Sequence, residues 1–130
     1  MINRAHECCE YCLIPQDTKP ELHQIDHIIA RKHGGQNVSS NLALACTDCN
    51  LHKGSDITTL DPEERVPVSL FDPRTQRWHD HFELVGVQIV GRTAIGRATV
   101  TFLRLNDEER LLDRQVLIAI NRYPPLQSSV

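Results

Sequence analysis

The placement of the cysteines limits this chain more than any other feature. Cys9 and Cys12 form one C-x2-C pair and Cys46 and Cys49 a second, with 33 residues between the pairs. A gap of two residues lets both sulfurs of a pair turn toward one centre, and two such pairs complete a tetrahedral four-thiolate zinc site. The fifth, Cys8, would serve only by widening its gap to Cys12, so it is expected to be a spare thiol, in the core or on the surface. Disulfides are the rival use for paired cysteines. An odd count suits them poorly, and they are rare in a reducing compartment.

With 130 residues the chain is long enough for one ordinary domain and too short for two independent cores. Its organisation is expected as a first part over 1–60 and an extension over 61–130 packed on it. No apolar run approaches the roughly 20 residues that span a bilayer. The first residues, Met1 to His6, lack the apolar stretch of a secretory leader, so the expected location is the cytoplasm. A net charge of −3 argues mildly against nucleic acid, because non-specific binding draws on Lys and Arg displacing counterions. The charge is uneven, however. Asp56, Asp61, Glu63 and Glu64 make an acidic stretch, while no acid lies between Arg92 and Arg104, a run that also holds Arg97. These arginines offer either a stripe for a phosphate backbone or only a solvated face.

The apolar pattern between the cysteine pairs predicts two strands and a short helix. Leu22 to Ile29 is rich in β-branched residues, His33-Gly34-Gly35 marks a turn, and Asn41 to Ala45 reads as a second strand. Thr47-Asp48 offers helix-starting side chains and Gly54 a stop. Pro62, Pro67 and Pro73 predict an irregular stretch over 55–80. Phe82 to Val85 and Val87 to Val90 flank Gly86 as a hairpin. Thr93 precedes a helix with Ile95, Ala98, Phe102 and Leu105 on one face. Asn106-Asp107-Glu108-Glu109 starts a last helix, with Leu112, Val116 and Ile120 as its apolar stripe and Pro124-Pro125 as its end. The fold class expected is α+β.

Asp26-His27 lies on the first predicted strand, where neighbouring side chains diverge. Alone, such a pair is more often a helix or strand-edge salt-bridge partner beside a hydrogen-bonded core histidine. Framed by the cysteines, it offers the two parts that phosphodiester cleavage requires. His27 can take a proton from water, and Asp26 can hold a cation that relieves charge on the phosphate and the leaving oxygen.

The whole run, C-x2-C, then Asp26-His27-Ile28, Gly34-Gly35, Asn41-Leu42, and C-x2-C followed by Asn50 and Lys53, resembles the zinc-knuckle branch of the HNH, or ββα-metal (His-Me finger), endonucleases. The segment Phe71-Asp72-Pro73-Arg74, Trp78, His81-Phe82 and Gly96 to Val100 resembles an extension carried by small stand-alone bacterial members. The resemblance implies a ββα-metal core between zinc knuckles, followed by a hairpin and C-terminal helices. It implies His27 as general base, Asp26 and Asn50 as ligands of one catalytic Mg2+ or Mn2+, and Asn41 as the residue that ties down the loop and orients His27. Asn50 stands where the family has His or Asn, and its amide oxygen suits a hard cation. Lys53 and His33 are candidate contacts for substrate phosphates, with a solvated lysine as the alternative for Lys53. The function implied is metal-dependent hydrolysis of nucleic acid, DNA in the first instance. The rival is a non-catalytic zinc-ribbon module that binds nucleic acid or protein.

Overall fold

A computed structural model of the protein describes residues 7–125. The run Met1 to His6, read above for a leader, lies outside the described residues. The first cysteine pair sits on a tight turn in which Cys9 accepts the N–H of Leu13 on its carbonyl and donates its own to Ile14. Leu13 takes a left-handed backbone there (φ 66°). Strands β1 (Gln24–His27) and β2 (Leu42–Ala45) then pair antiparallel, with Asp26 opposite Ala43 and His27 opposite Leu42. β1 is shorter than its apolar pattern suggests. At its far end the backbone of Ile29 bonds a side chain, that of Asn41, instead of a neighbouring strand.

Helix α1 (Thr47–Lys53) follows β2 directly and stops at Gly54, whose φ of 52° favours a residue without Cβ. The residue that caps it is Cys46, whose sulfur accepts the N–H of Cys49 at 3.4 Å. The same side chain therefore starts the helix and faces the other cysteines.

The stretch after α1, expected to be irregular, contains a short antiparallel pair, β3 (Thr58–Leu60) with β4 (Pro67–Ser69). Pro67 is tolerated because it stands at the first position of its strand. The loop between them is built on Asp61. Its buried carboxylate accepts the N–H groups of Glu63 and Glu64 and a bidentate pair of bonds from Arg97 at 3.0 and 2.9 Å. Arg97 is thus engaged within the protein and is not part of a basic stripe.

A single helical turn, α2 (Trp78–His81), leads into the hairpin β5 (Phe82–Val85) and β6 (Gln88–Gly91). Thr93 caps α3 (Ala94–Phe102), accepting the Gly96 N–H at 3.1 Å. Gly96 has no room for a side chain, since a Cβ there would lie 1.9 Å from the His81 carbonyl oxygen. The last helix, α4 (Glu108–Ala119), begins where the acidic run predicted.

Its orientation differs from the expected one. Leu112, Val116 and Ile120 face outward, at 54%, 62% and 57% exposure, and the buried positions are Arg110, Arg114 and Leu117. The surface beneath α4 explains the reversal, because beneath the two arginines it presents sulfurs, backbone carbonyls and the Asn106 amide oxygen. Arg114 donates to the Val87 carbonyl at 2.7 Å and to Asn106 Oδ1 at 2.8 Å, and Arg110 donates to the Leu103 carbonyl at 2.8 Å. Arginine stems pack as apolar groups while their guanidinium groups satisfy such acceptors, which leucine cannot do.

One hydrophobic cluster joins both halves, from Cys9, Tyr11, Ile14 and Ala43 to Phe71, Trp78, Phe82, Ile89 and Leu117. The architecture is mixed helix and small two-stranded sheets around this cluster. Among the described residues no helix is long and apolar enough to cross a membrane.

Candidate metal centre and active site

The sulfurs of Cys9, Cys12, Cys46 and Cys49 converge, each within 4.8 Å of the others, and all four residues are buried. The Cys12 and Cys46 sulfurs are 3.7 Å apart. Tetrahedral zinc with Zn–S bonds of about 2.3 Å requires neighbouring sulfurs about 3.8 Å apart, so the donor set fits this ion. Backbone amides point at the same sulfurs, Tyr11 and Cys12 N–H at Cys9 and Cys49 N–H at Cys46, at 3.4 to 3.5 Å. Burial pushes the Cys9 and Cys49 thiols well above the ordinary range. Hydrogen bonds from Cys46, Cys49 and Cys9 hold the Cys12 thiol well below it. Four sulfurs turned to one centre in a dry site are a donor set that a thiolate-binding divalent cation such as zinc completes, and binding would release the thiol protons. None of the five cysteines is in a disulfide. Cys8 is buried but outside the cluster, and burial pushes its thiol up to about 11, so it is an inert core residue.

The extension closes over this centre. Trp78 donates its indole N–H to the Tyr11 carbonyl at 2.8 Å, and Tyr123 its hydroxyl to the Cys12 carbonyl at 2.6 Å. Arg74 forms an ion pair with Glu10, whose other carboxylate oxygen accepts the Leu44 N–H. Arg110 sends Nη2 to within 2.9 Å of Cys49 Sγ and 3.8 Å of Cys46 Sγ.

Asp26 and His27 leave β1 in different directions, as adjacent strand residues must. Asp26 is buried against α1, where Oδ2 accepts the Tyr11 hydroxyl at 2.8 Å and pairs with Lys53 Nζ at 3.2 Å. His27 is half-buried and turns to the loop, its Nε2 3.3 Å from Asn37 Oδ1. Asn50 meets β1 two residues before Asp26, donating its amide to Gln24 Oε1. Asp26 and Asn50 thus both lie between β1 and α1, while His27 stands outside that seam. The seam offers oxygen donors, and the Asp26 carboxylate among them already faces the Lys53 ammonium and the Tyr11 hydroxyl. A carboxylate has about four lone-pair sites, more than Tyr11 and Lys53 use, and ligating carboxylates are themselves commonly hydrogen-bonded.

Asn41 lies at the root of the loop. Its amide accepts from Ile29 N–H at 2.9 Å and donates to the carbonyls of Ile29 and Gln36 at 3.0 and 2.9 Å. The chain can pass this close because residue 35 is glycine, where a Cβ would lie 1.7 Å from the Ile29 carbonyl oxygen. His33 is exposed on the same loop.

Lys53 is not where a phosphate contact or a solvated lysine would be. It is 2% exposed, and besides Asp26 its ammonium reaches the carbonyls of His27 and Ile28 at 3.4 and 3.1 Å. It stands one turn after Asn50 on the α1 face that packs on β1, and that seam captures it. Four partners escaped the sequence reading: Tyr11 and Gln24 in the seam, Asn37 beside His27, and Arg110 at the sulfurs. Tyr11 alone carried a signal, since it lies inside the first C-x2-C pair. Arg110 is 61 residues from the sulfur it touches.

Residues 9–56 match the family model described as HNH endonuclease. No curated protein and no solved structure matches the chain. The matched span contains all four clustered cysteines, both strands and the helix of the seam, and both sides of the Asp26–His27 arrangement, so it is residues 9–56, the HNH segment, that are similar to an HNH endonuclease domain.

Proposed function

We propose that the protein is an endonuclease that hydrolyses DNA phosphodiester bonds, with β1, β2 and α1 as its ββα-metal core. The observation that carries this reading is the divergence of two neighbours on β1, with Asp26 held in the seam that Asn50 also borders and His27, half-buried, turned to Asn37 in the loop. His27 is the general base. With Nε2 donating to Asn37 Oδ1, Nδ1 keeps a lone pair to take the proton of a water attacking phosphorus in line. The bond from phosphorus to the 3′ oxygen breaks as the new P–O bond forms. The departing oxygen takes a proton from solvent, leaving 3′-hydroxyl and 5′-phosphate ends. Asp26 and Asn50 would hold Mg2+ or Mn2+ through oxygen. The bound cation supplies Lewis-acid relief of charge on phosphate and leaving oxygen. Asn41 holds the loop, and His33, exposed on it, is assigned to the phosphate backbone.

One observation favours the rival, a zinc module that binds nucleic acid without cutting it. The carboxylate meant for the cation already has the Lys53 ammonium at 3.2 Å. Plasmid DNA decides between them. Cleavage with Mg2+ or Mn2+ that stops with EDTA and falls about 10²–10⁴-fold in His27→Ala, zinc content unchanged, supports the enzyme. DNA retention without cleavage under every divalent cation supports the module.

A further inference from the structure

Arg110 lies far outside the HNH segment, yet it is buried against that segment's sulfurs at 7% exposure. One end of its guanidinium is fixed by the Leu103 carbonyl, 2.8 Å from Nη1. The other end, Nη2, donates to Cys49 Sγ at 2.9 Å and approaches Cys46 Sγ at 3.8 Å. Four thiolates around Zn2+ leave a net double negative charge, and here it would be enclosed in a place with little water. A buried charge requires a partner that is itself hydrogen-bonded. Arg110 meets that requirement from both ends.

We propose that Arg110 is a positioning residue of the zinc centre. It neutralises part of the thiolate charge, occupies lone pairs on Cys49 and Cys46, and makes zinc retention by the HNH segment depend on α4. The extension is then part of the metal site. The neighbouring arginine supplies a contrast: Arg114, one turn later and also buried, bonds the Val87 carbonyl and Asn106. The two share burial, charge and helix, and differ in what they touch. A lysine at 110 could place a point charge near sulfur but could not span Leu103 and Cys49 with one planar group.

This inference rests on zinc at the four sulfurs and not on DNA cleavage, so its test reads metal. The wild-type protein, Arg110→Gln, Arg110→Lys and Arg114→Gln are prepared with zinc, and metal content is measured first. Zinc transfer to a chromogenic chelator is then followed, together with the thiolate-to-metal absorption of the cobalt-substituted forms. Arg110→Gln is expected to weaken zinc retention about 10–100-fold, the usual cost of removing an outer partner of a metal ligand. Arg110→Lys should fall between it and wild type, and Arg114→Gln should stay close to wild type. The cobalt absorption should shift in the Arg110 variants alone. If Arg110→Gln does not fold, the release rate and cobalt spectrum of Arg110→Lys decide. Wild-type release rates in the Arg110 variants, or equal acceleration by Arg114→Gln, overturn the proposal while leaving zinc in place. A zinc-free wild-type protein overturns the zinc assignment as well.

Discussion

The segment that matches the HNH model and the extension are held together by different means. Within residues 9–56 the buried core positions are largely small or sulfur-bearing: Cys9, Cys12, Ala43, Ala45, Cys46 and Cys49, with Tyr11, Leu13, Ile14 and Ile28. The extension supplies Phe71, Trp78, Phe82, Ile89, Leu103, Leu105, Leu117 and Tyr123 to the same cluster. Small side chains bury little apolar area, so the first region leans on its sulfur centre, on buried polar pairs and on its neighbour. The comparison teaches a division of labour. Short strands and a two-turn helix can be packed around chemistry because a second region brings the bulk.

Five substitutions would break or sharpen this contrast, and the largest effect belongs to the sulfurs. Cys46→Ala removes a cluster sulfur and the cap of α1 together, and it should unfold much of residues 9–56. Apparent zinc affinities in small structural sites reach about 10–16 kcal/mol. Circular dichroism with elemental analysis should show zinc and structure lost together. A folded, zinc-loaded Cys46→Ala would end the dependence on sulfur.

Lys53→Met comes next. It leaves Asp26 buried with its ion pair broken, a change that costs roughly 3–5 kcal/mol in comparable cases. A urea titration should register most of that loss. A lysine serving only as a phosphate contact would leave stability alone and weaken DNA binding instead.

The extension responds as an ordinary core. Leu117→Ala should cost about 2–5 kcal/mol as a buried large-to-small change. Val116→Ala, its exposed neighbour on α4, should stay within about 0.5 kcal/mol. Equal effects at the two positions would contradict the observed face of the helix.

Asp61→Asn should show most clearly in acid. Bonds from Arg97, with help from the Glu64 and Glu63 N–H groups, hold the Asp61 carboxyl down at about 2. An unfolded chain protonates the same group near about 3.9. The stabilisation is therefore complete above that value and is lost as pH falls toward about 2. Thermal melts across this window should slope less in Asp61→Asn than in wild type.

Local order was largely readable from residues alone. The cysteine spacing foretold the sulfur cluster, and the resemblance pointed to the HNH segment that the family model matches. Thr93 marked a helix start because capping acts within a few residues, and the acidic run after Asn106 did so because acids favour the first turn of a helix. The β3–β4 pair escaped notice, since three-residue strands beside prolines carry no periodic signal. Which face of α4 turns inward depended on what lies beneath it. A stripe of Leu112, Val116 and Ile120 looks like a core face until the surface below proves to be sulfur and carbonyl oxygen.

Sequence alone determined which atoms were available for chemistry: four sulfurs in two pairs, and an acid beside a histidine. It could do so because ligand spacing and strand alternation are properties of a short stretch of backbone. Only the tertiary structure decided the partners of those atoms. Lys53 was drawn to Asp26, His27 was turned toward Asn37, and Arg110 reached Cys49 across 61 residues. Buried charges and hydrogen-bonding groups take whichever complement the packed chain brings within about 3 Å, and sequence distance places no limit on that choice.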